Sequence, residues 1–555
     1  MEYKINVRNH WWFDSGIVGL YFIGTEVSKD EKFKEIKLSF DANSLSIKGK
    51  DEETIRDFLD ECYERLTSLY WNVSTKSQKD NQELVLYDRD SDKFFLAPKR
   101  QATPVVSNFV KGTSWKAEGI EYKKLDPKLK ERTDQFLKQT GKSLWGSKKV
   151  LLYTQPVSHP DLSILPKENY KRQYICTVCG KSTSNYSEIS QPSFLLFASK
   201  SAAQSFHSQG RRPAKICWEC ELLSKFTMDS INYKKEGTTL SILILNSPNL
   251  QHSIDNQRKM GSRSILRGRD DDYFFKNIGF DEDGLIKKAK MSYELLWAYF
   301  VDTYTILKSN EVDEEKDDLF QHFLKDIITA PLEIIIIILS EKGQTFITKE
   351  LIFYNDVSYA FRILDKLINS NVNIKKVFNS LLETDPKGNL LPTRNNILKK
   401  VLNKHCILSD LLKLTFNRVL SGQYIDVSNI IRFVTEYFLI IKEDIMNREQ
   451  IEVAVNLGKQ IVTQPYLASG KDKDVLKRIR GDLYALRRTR TVTDFITQLN
   501  KFQFRYGISV SKPVLEGILN EVPFEDFKGY CIMGALNNFN YYNSEKKKGE
   551  LMDES

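Results

Sequence analysis

Apolar positions recur along this chain at two different periods, and the shift from one to the other divides it. In Ile36-Lys37-Leu38-Ser39-Phe40 and again in Leu45-Ser46-Ile47, apolar and polar residues alternate as in half-buried strands. Asp41 to Ser44 between them supplies a hairpin turn. From Glu52 to Tyr70 the period lengthens: Ile55, Phe58, Leu59, Cys62, Leu66 and Leu69 return at helical spacing. Asp14-Ser15-Gly16 reads as the start of a short apolar helix through Ile17, Val18, Leu20 and Tyr21. Trp11, Trp12 and Phe13 form its bulky entry, and the tryptophan pair fits a core position better than a base-stacking surface. Leu84 to Tyr87 and Phe94 to Leu96 are predicted as further strands, and the polar stretch from Asn72 to Gln82 as a loop.

From Leu151 to Leu245 the sequence becomes rich in proline, serine and glycine, ending in a predicted strand at Leu240 to Leu245. Beyond Tyr293 helical periodicities dominate, broken by Pro331, Pro392, Pro465 and Pro513. The run Ile334 to Leu339 is either a buried strand or the inner face of a helix. It is far short of the roughly 20 residues a membrane span needs. Glu311 to Asp318 is strongly acidic, a solvated linker or helix start, and the charged tail from Ser544 is predicted to fray. The fold class is therefore α+β: a mixed N-terminal domain with a cysteine-containing insert, then a mostly α-helical C-terminal bundle. The predicted segments are 1–150 (mixed α/β), 151–245 (insert), 246–445 (connecting region and largely helical middle domain) and 446–555 (helical bundle).

A chain of 555 residues can bury more than one core. Its net charge of +9 permits a nucleic-acid partner without requiring one, because clustering makes the electrostatic footprint. The start lacks the basic and apolar regions of a secretory signal, so a cytoplasmic protein without a membrane partner is expected. Seven cysteines, four of them in two tight pairs, suit a reducing compartment and a metal site better than a disulfide framework.

Those pairs are the strongest motif. Cys176-Thr-Val-Cys179 and Cys217-Trp-Glu-Cys220 are C-x-x-C knuckles separated by 37 residues. Two intervening residues let one turn aim both sulfurs at a single ion, and two such turns complete a tetrahedral shell. Gly180 follows the first pair where a glycine lets the knuckle turn back. Thiolates favour Zn2+, although four sulfurs also accept iron. A full shell leaves no open position, so such a zinc would crosslink and not catalyse. Two unrelated surface pairs or a redox-active dithiol are the alternatives, the dithiol disfavoured because neither pair clearly follows a strand and opens a helix.

Other chemical-looking motifs are weaker. Gly141-Lys142-Ser143 matches the end of a phosphate-binding P-loop, but Phe136 stands where its first glycine belongs and no apolar strand precedes it. Asp270-Asp271-Asp272 reads as a surface acidic cluster. None of the six histidines forms a metal or triad spacing; His207 could compete as a ligand, and His405 beside Cys406 sits in an apolar helical context that suggests core packing. The chain is expected not to be an enzyme.

Positive charge gathers in several places. Lys473, Lys477, Arg480, Arg487 and Arg488, with Arg490 beyond, fall on one face of a predicted helix, opposite Val475, Ile479, Leu483 and Leu486. Such a stripe can track a sugar-phosphate backbone. Arg258, Lys259, Arg263, Arg267 and Arg269 are interspersed with Gly and Ser, as in a loop that orders on phosphates. Arg211 and Arg212 precede the second knuckle, where a metal clip would steady them. Lys99, Arg100, Asn108 and Lys111 are candidates for reading base edges.

The opening Trp11-Trp12-Phe13-Asp14-Ser15-Gly16-Ile17-Val18-Gly19-Leu20, the paired knuckles, Leu457-Gly458-Lys459-Gln460-Ile461, and Leu483 to Phe495 with Arg487, Arg490, Thr491 and Asp494-Phe495 resemble the large subunit of type I-B CRISPR Cascade complexes. The resemblance implies a non-catalytic subunit of an RNA-guided DNA surveillance complex. It would sit near the 5′ handle of a guide CRISPR RNA, probe the motif flanking target double-stranded DNA, help open the duplex, and support recruitment of a separate helicase–nuclease. It would assemble with backbone and small subunits, its C-terminal helices resembling the small subunits that guide the displaced strand. The four cysteines would be the zinc ligands and the face from Lys473 to Arg490 a path for DNA. The competing readings are a zinc-containing nucleic-acid-processing enzyme and a protein-binding scaffold whose basic patches are solvated surface.

Overall fold

A computed structural model describes residues 1–70, 74, 76–100, 113–160, 173–189, 191, 193–196, 215–260, 289–309, 331–342, 345–423, 425–441, 446–510, 512–515 and 517–553. The chain divides into two compact units, and the segment 246–445 is shared between them. One comprises Met1–Asp281 with Asn310–Val357, the other Glu282–Ser309 with Ser358–Ser555.

The first unit opens with strand β1 (Glu2–Asn6), helix α1 (Trp11–Val27), strands β2 (Lys37–Phe40) and β3 (Ser44–Lys48), and helix α2 (Glu52–Tyr70). The β2–β3 hairpin and α2 fall where the periodicity placed them. The pattern did not reveal that β1 pairs with β3, from Glu2 opposite Lys48 to Asn6 opposite Ser44. Helix α1 is buried on nearly every side, as its lack of a polar face requires. Trp12 is 1 % exposed and belongs to the core. Part of the stretch expected as a loop forms a short helix, α3 (Lys76–Asn81).

Strands β4 (Glu83–Asp88) and β5 (Lys93–Pro98) join β7 (Gly119–Glu121) and β8 (Val150–Leu152) in a sheet of order β5-β4-β8-β7, while β6 (Thr113–Lys116) pairs with β9 (Val157–Pro160). Helix α4 (Pro127–Thr140) packs on the four-stranded sheet, and Val85, Tyr87, Leu125, Leu144 and Leu151 make its small core. Gly141 ends α4 with φ +65°. Gly141-Lys142-Ser143 therefore closes a helix, whereas a P-loop opens one, and Lys142 is 3.1 Å from Glu83.

Around the knuckles lie β10 (Tyr174–Ile175), β11 (Ser182–Thr183), β12 (Tyr186–Glu188), β13 (Lys215–Cys217) and α5 (Trp218–Phe226). Strands β14 (Asn232–Glu236) and β15 (Thr239–Asn246), helix α6 (Leu250–Met260), and β16 (Glu333–Lys342) and β17 (Thr345–Tyr354) follow, the strands forming an antiparallel sheet in sequence order. Ile334 to Leu339 is thus a strand, resolving the earlier ambiguity. It is central and buried on both faces, so its continuous β-branched run needs no alternation.

The second unit is helical: α7 (Ser292–Ser309), α8 (Val357–Asn369, whose first residue falls in the first unit), α9 (Ile374–Ser380), α10 (Thr393–Leu402), α11 (Leu408–Leu420), α12 (Val427–Ile441), α13 (Arg448–Ala468), α14 (Lys473–Arg488), α15 (Val492–Tyr506), α16 (Lys512–Leu515), α17 (Ile518–Glu521) and α18 (Phe524–Asp553). Glu294 and Arg394 form a fully buried ion pair at 2.8 Å that ties α7 to α10. Pro465 does not break α13, which runs on to Ala468. Its cross-over with α18 explains Gly458: a Cβ there would lie 1.8 Å from the Cys531 carbonyl oxygen, and one at Gly534 would lie 2.1 Å from that of Val455. Two glycines facing each other's backbones let the axes approach closely. The charged tail continues α18 to Asp553. His405 and Cys406 are exposed in the turn after α10, correcting the expectation of core packing.

Candidate metal centre and basic helix face

Each knuckle is built from local backbone rules. Strands β10 and β11 form a minimal hairpin that presents the first pair at its tip. The Gly180 amide donates to the Cys176 carbonyl at 2.9 Å, and the Cys176 amide to the Lys181 carbonyl at 2.9 Å. Gly180 itself has φ +73°, a left-handed value that a side chain would disfavour. The second knuckle sits where β13 becomes α5: Cys217 caps the helix, accepting at Sγ from the Cys220 amide at 3.5 Å. This pair does follow a strand and open a helix, contrary to expectation. A three-residue strand carries too little alternation to be read from sequence.

The two knuckles meet. Thr177 donates from its amide (2.9 Å) and its hydroxyl (2.8 Å) to the Lys215 carbonyl. The Cys217 amide donates to Cys176 Sγ at 3.3 Å. All four sulfurs lie within 4.8 Å of one another, with Cys179 and Cys217 at 3.7 Å. An ion bound tetrahedrally at about 2.3 Å needs sulfurs about 3.8 Å apart, whereas a disulfide needs about 2.05 Å. The four cysteines are free thiols close enough to hold a metal ion.

The thiols are also linked electrostatically through their hydrogen bonds. Hydrogen bonds from Cys217 and Cys220 hold the Cys176 thiol far below its usual range. In turn the hydrogen bond to Cys176 pushes Cys217 up to about 12, and hydrogen bonds to Cys176 and Cys217 push Cys220 higher still. One thiolate is easily accommodated; several adjacent ones call for a cation between them. Glu219, between two ligands and 3 % exposed at its side chain, accepts from Tyr3 Oη, from Arg8, and from Lys181 Nζ at 3.0 Å. Arg8 also favours the Cys220 thiolate. Arg8 and Lys181 thus meet one carboxylate, Glu219, beside the four sulfurs. Sequence reasoning missed Tyr3, Arg8, Lys181 and Glu219, because the partners lie up to 216 residues apart.

Helix α5 transmits the position of the second knuckle into the core. A Cβ on Gly16 would fall 2.0 Å from the Leu223 carbonyl oxygen, and one on Gly19 2.1 Å from that of Phe226. Thr227 donates to the Trp12 carbonyl at 2.8 Å and Ser230 to that of Ser15 at 2.6 Å. The two glycines of the apolar N-terminal motif are thus the contact surface for the helix that starts at Cys217.

In the second unit, α14 has the predicted two faces. Val475, Leu476, Ile479, Leu483 and Leu486 are buried, and Lys477, Arg478, Arg480, Arg488 and, just beyond, Arg490 are exposed. For Lys473 only the backbone, at the first turn, is described. Arg487 is half-buried with its guanidinium 4.5 Å from the Phe416 ring centroid. Asp482 does not neutralise the cationic face; it accepts from Arg505 at 2.7 Å and from the Tyr506 hydroxyl.

The remaining candidates fare differently. Lys99 and Arg100 are exposed after β5. Arg258 lies at the end of α6 and not in a flexible loop. It donates to Tyr21 Oη at 2.6 Å and lies over the Tyr21 and Phe40 rings, so its head is engaged within the fold. Lys259 shares that helix, with only its backbone described. Asn108, Lys111, Arg211, Arg212, Arg263, Arg267 and Arg269 lie outside the described residues, as do His207, Asp270 to Asp272 and Glu311 to Asp318.

Among the described residues, no helix is long and apolar enough to cross a membrane. No protein-family model and no curated protein matches the sequence.

Proposed function

We propose that this chain is a non-catalytic, nucleic-acid-contacting subunit of a larger assembly, held together in its first unit by a structural zinc ion on Cys176, Cys179, Cys217 and Cys220. The observation that carries the nucleic-acid reading is the one-sided α14: several cations face solvent while the acid nearest its centre, Asp482, is spent on Arg505 and Tyr506. Such a face contributes salt-dependent, largely sequence-independent affinity for phosphates. Zinc fits the donor set, since four soft thiolates complete a tetrahedral shell. Bound there, it would supply a crosslink and no activated water, because no position stays open. Lys181 and Arg8 would stabilise the anionic cluster from outside, with Glu219 orienting both.

The resemblance to type I-B Cascade large subunits supports a narrower reading. On it, the assembly is an RNA-guided DNA surveillance complex in the cytoplasm, containing a guide CRISPR RNA with backbone and small subunits. The chain would probe the flanking motif of double-stranded target DNA, steady the opened strands and support a separate helicase–nuclease. Base pairing with the guide would supply most sequence specificity, leaving backbone and short-motif contacts to protein.

The test is a titration of the full chain with labelled DNA at several salt concentrations, parent against a triple variant K477A, R480A and R488A. Loss of three phosphate contacts lowers the slope of log affinity against log salt by about 2 to 3. An unchanged slope and affinity would leave a protein-binding scaffold as the better reading. Strand cleavage by the purified chain with magnesium alone would instead favour an enzyme.

A further inference from the structure

The cationic face of α14 carries a residue that a simple electrostatic track does not need. Lys477, Arg480, Tyr484 and Arg488 follow at steps of three, four and four; with Arg487 they occupy an arc of about 100° on the helix. Tyr484 is at the centre of that arc and is 41 % exposed. Its ring is buttressed edge-on by Phe416, with centroids 5.0 Å apart and planes at 81°, and Phe416 in turn carries the Arg487 guanidinium. Tyr484 is thus an aromatic surface held from behind and flanked by positive charge.

Beside the first half of the stripe lies a cavity of about 250 Å³. Its polar lining comes from Lys477, Arg480, Ser421 and Asn543, and no carboxylate lines it. Lys477 does touch Asp474 at 3.0 Å, but both side chains are largely exposed. Such pairs are worth about 0–1 kcal/mol and exchange readily for a phosphate. Arg480 makes no ion pair among the described residues.

We propose that this is a discrete nucleotide subsite for an unpaired strand: a phosphate seats in the cavity against Lys477 and Arg480, and the adjoining base lies on Tyr484. The ligand class follows from geometry. A duplex keeps its base faces stacked on one another and offers only groove edges, so an aromatic plane on a cationic face is useful to a strand whose bases are free. The inference rests on the reading of α14 as a nucleic-acid surface and adds to it the ring on which a base stacks and the cavity that seats its phosphate.

The experiment compares binding of a labelled oligothymidine and a duplex of equal length by the full chain. Y484L keeps an apolar side chain and removes the aromatic plane; Y484W keeps the plane. Y484L should weaken the single strand by about 5- to 150-fold, the equivalent of the about 1–3 kcal/mol contributed by one stacked base, with duplex affinity unchanged. Y484W should bind the strand as the parent does, with tryptophan fluorescence quenched beyond that of the parent, a readout that needs no folding comparison. Absence of extra quenching in Y484W, or equal losses for strand and duplex in Y484L, overturns the subsite. The double variant K477A and R480A tests the underlying reading separately: it should weaken both ligands and flatten the salt dependence. If it does so while Y484L binds normally, the phosphate face stands and the stacking subsite falls. If neither variant changes anything, both fall.

Discussion

Replacing Gly16 by alanine tests whether α1 depends on α5 and, through it, on the cysteine cluster. The new methyl carbon would sit 2.0 Å from the Leu223 carbonyl oxygen, 2.6 Å from its carbon and 3.1 Å from its Cα. All three are backbone atoms, so no side-chain rotation relieves them. An ordinary C···O contact is about 3.3 Å, which asks α5 to retreat by more than an ångström at that point. Helix α5 is capped at its start by Cys217, whose amide donates to Cys176 Sγ, and the turn after its end is held by the bonds from Thr227 and Ser230 to α1 carbonyls. Retreat breaks those bonds, each worth about 1 kcal/mol, and strains a packed core by about 1–3 kcal/mol. Alanine's better helix propensity returns up to about 1 kcal/mol, leaving a net loss of about 2–4 kcal/mol. The control is Gly481→Ala in α14, where nothing lies within 4 Å of the added carbon and φ is ordinary; it should be neutral or stabilising by up to about 1 kcal/mol. Urea unfolding followed by near-ultraviolet dichroism measures both, and a chromogenic chelator follows metal release. Gly16→Ala should unfold at lower urea and release metal faster. Equal stability of the two variants would refute the reasoning.

Two further outcomes follow from the same geometry. Chelation, or Cys220→Ser, should destabilise the first unit and remove stoichiometric zinc in elemental analysis, because ligand binding energy is folding energy in such sites; protein purified without zinc yet equally resistant to protease would argue against the clip. His10 caps α1 by accepting from the Trp12 amide at 3.2 Å, and burial holds its imidazole below the ordinary 6.5. The unfolded chain therefore takes up the proton first, so this contribution is intact above about pH 6.5 and is lost as pH falls below it. Asp14 accepts from the same loop, and its carboxyl is raised by burial, which acts in the opposite direction at lower pH. His10→Asn keeps an acceptor that does not titrate; thermal midpoints between pH 7 and 5.5 should fall less steeply in it than in the parent. Identical pH profiles would remove His10 from the account.

Much of this architecture was legible because it is local. Strands β2 and β3, helix α2 and the two-faced α14 depend on apolar spacing within one element, and spacing is printed in the chain. The C-x-x-C pairs were equally plain, since each knuckle is one turn. Misreadings arose where an element is too short for a period, as at β13 and α3, or where sequence neighbours misled, as at His405 and Cys406. Tyr484 was in principle visible, four residues after Arg480, but only its exposure separates a surface aromatic from a core one.

What the sequence by itself determined, then, was the longer periodic elements, the four thiols and the cationic face. Only the tertiary structure decided that the thiols converge, that Glu219 gathers Tyr3, Arg8 and Lys181 beside them, and that Gly16, Gly19, Gly458 and Gly534 are places where helix backbones touch. The physical reason is range. Periodicity reports which side of an element avoids water, whereas a missing Cβ or a buried carboxylate is explained by an atom far away in the chain.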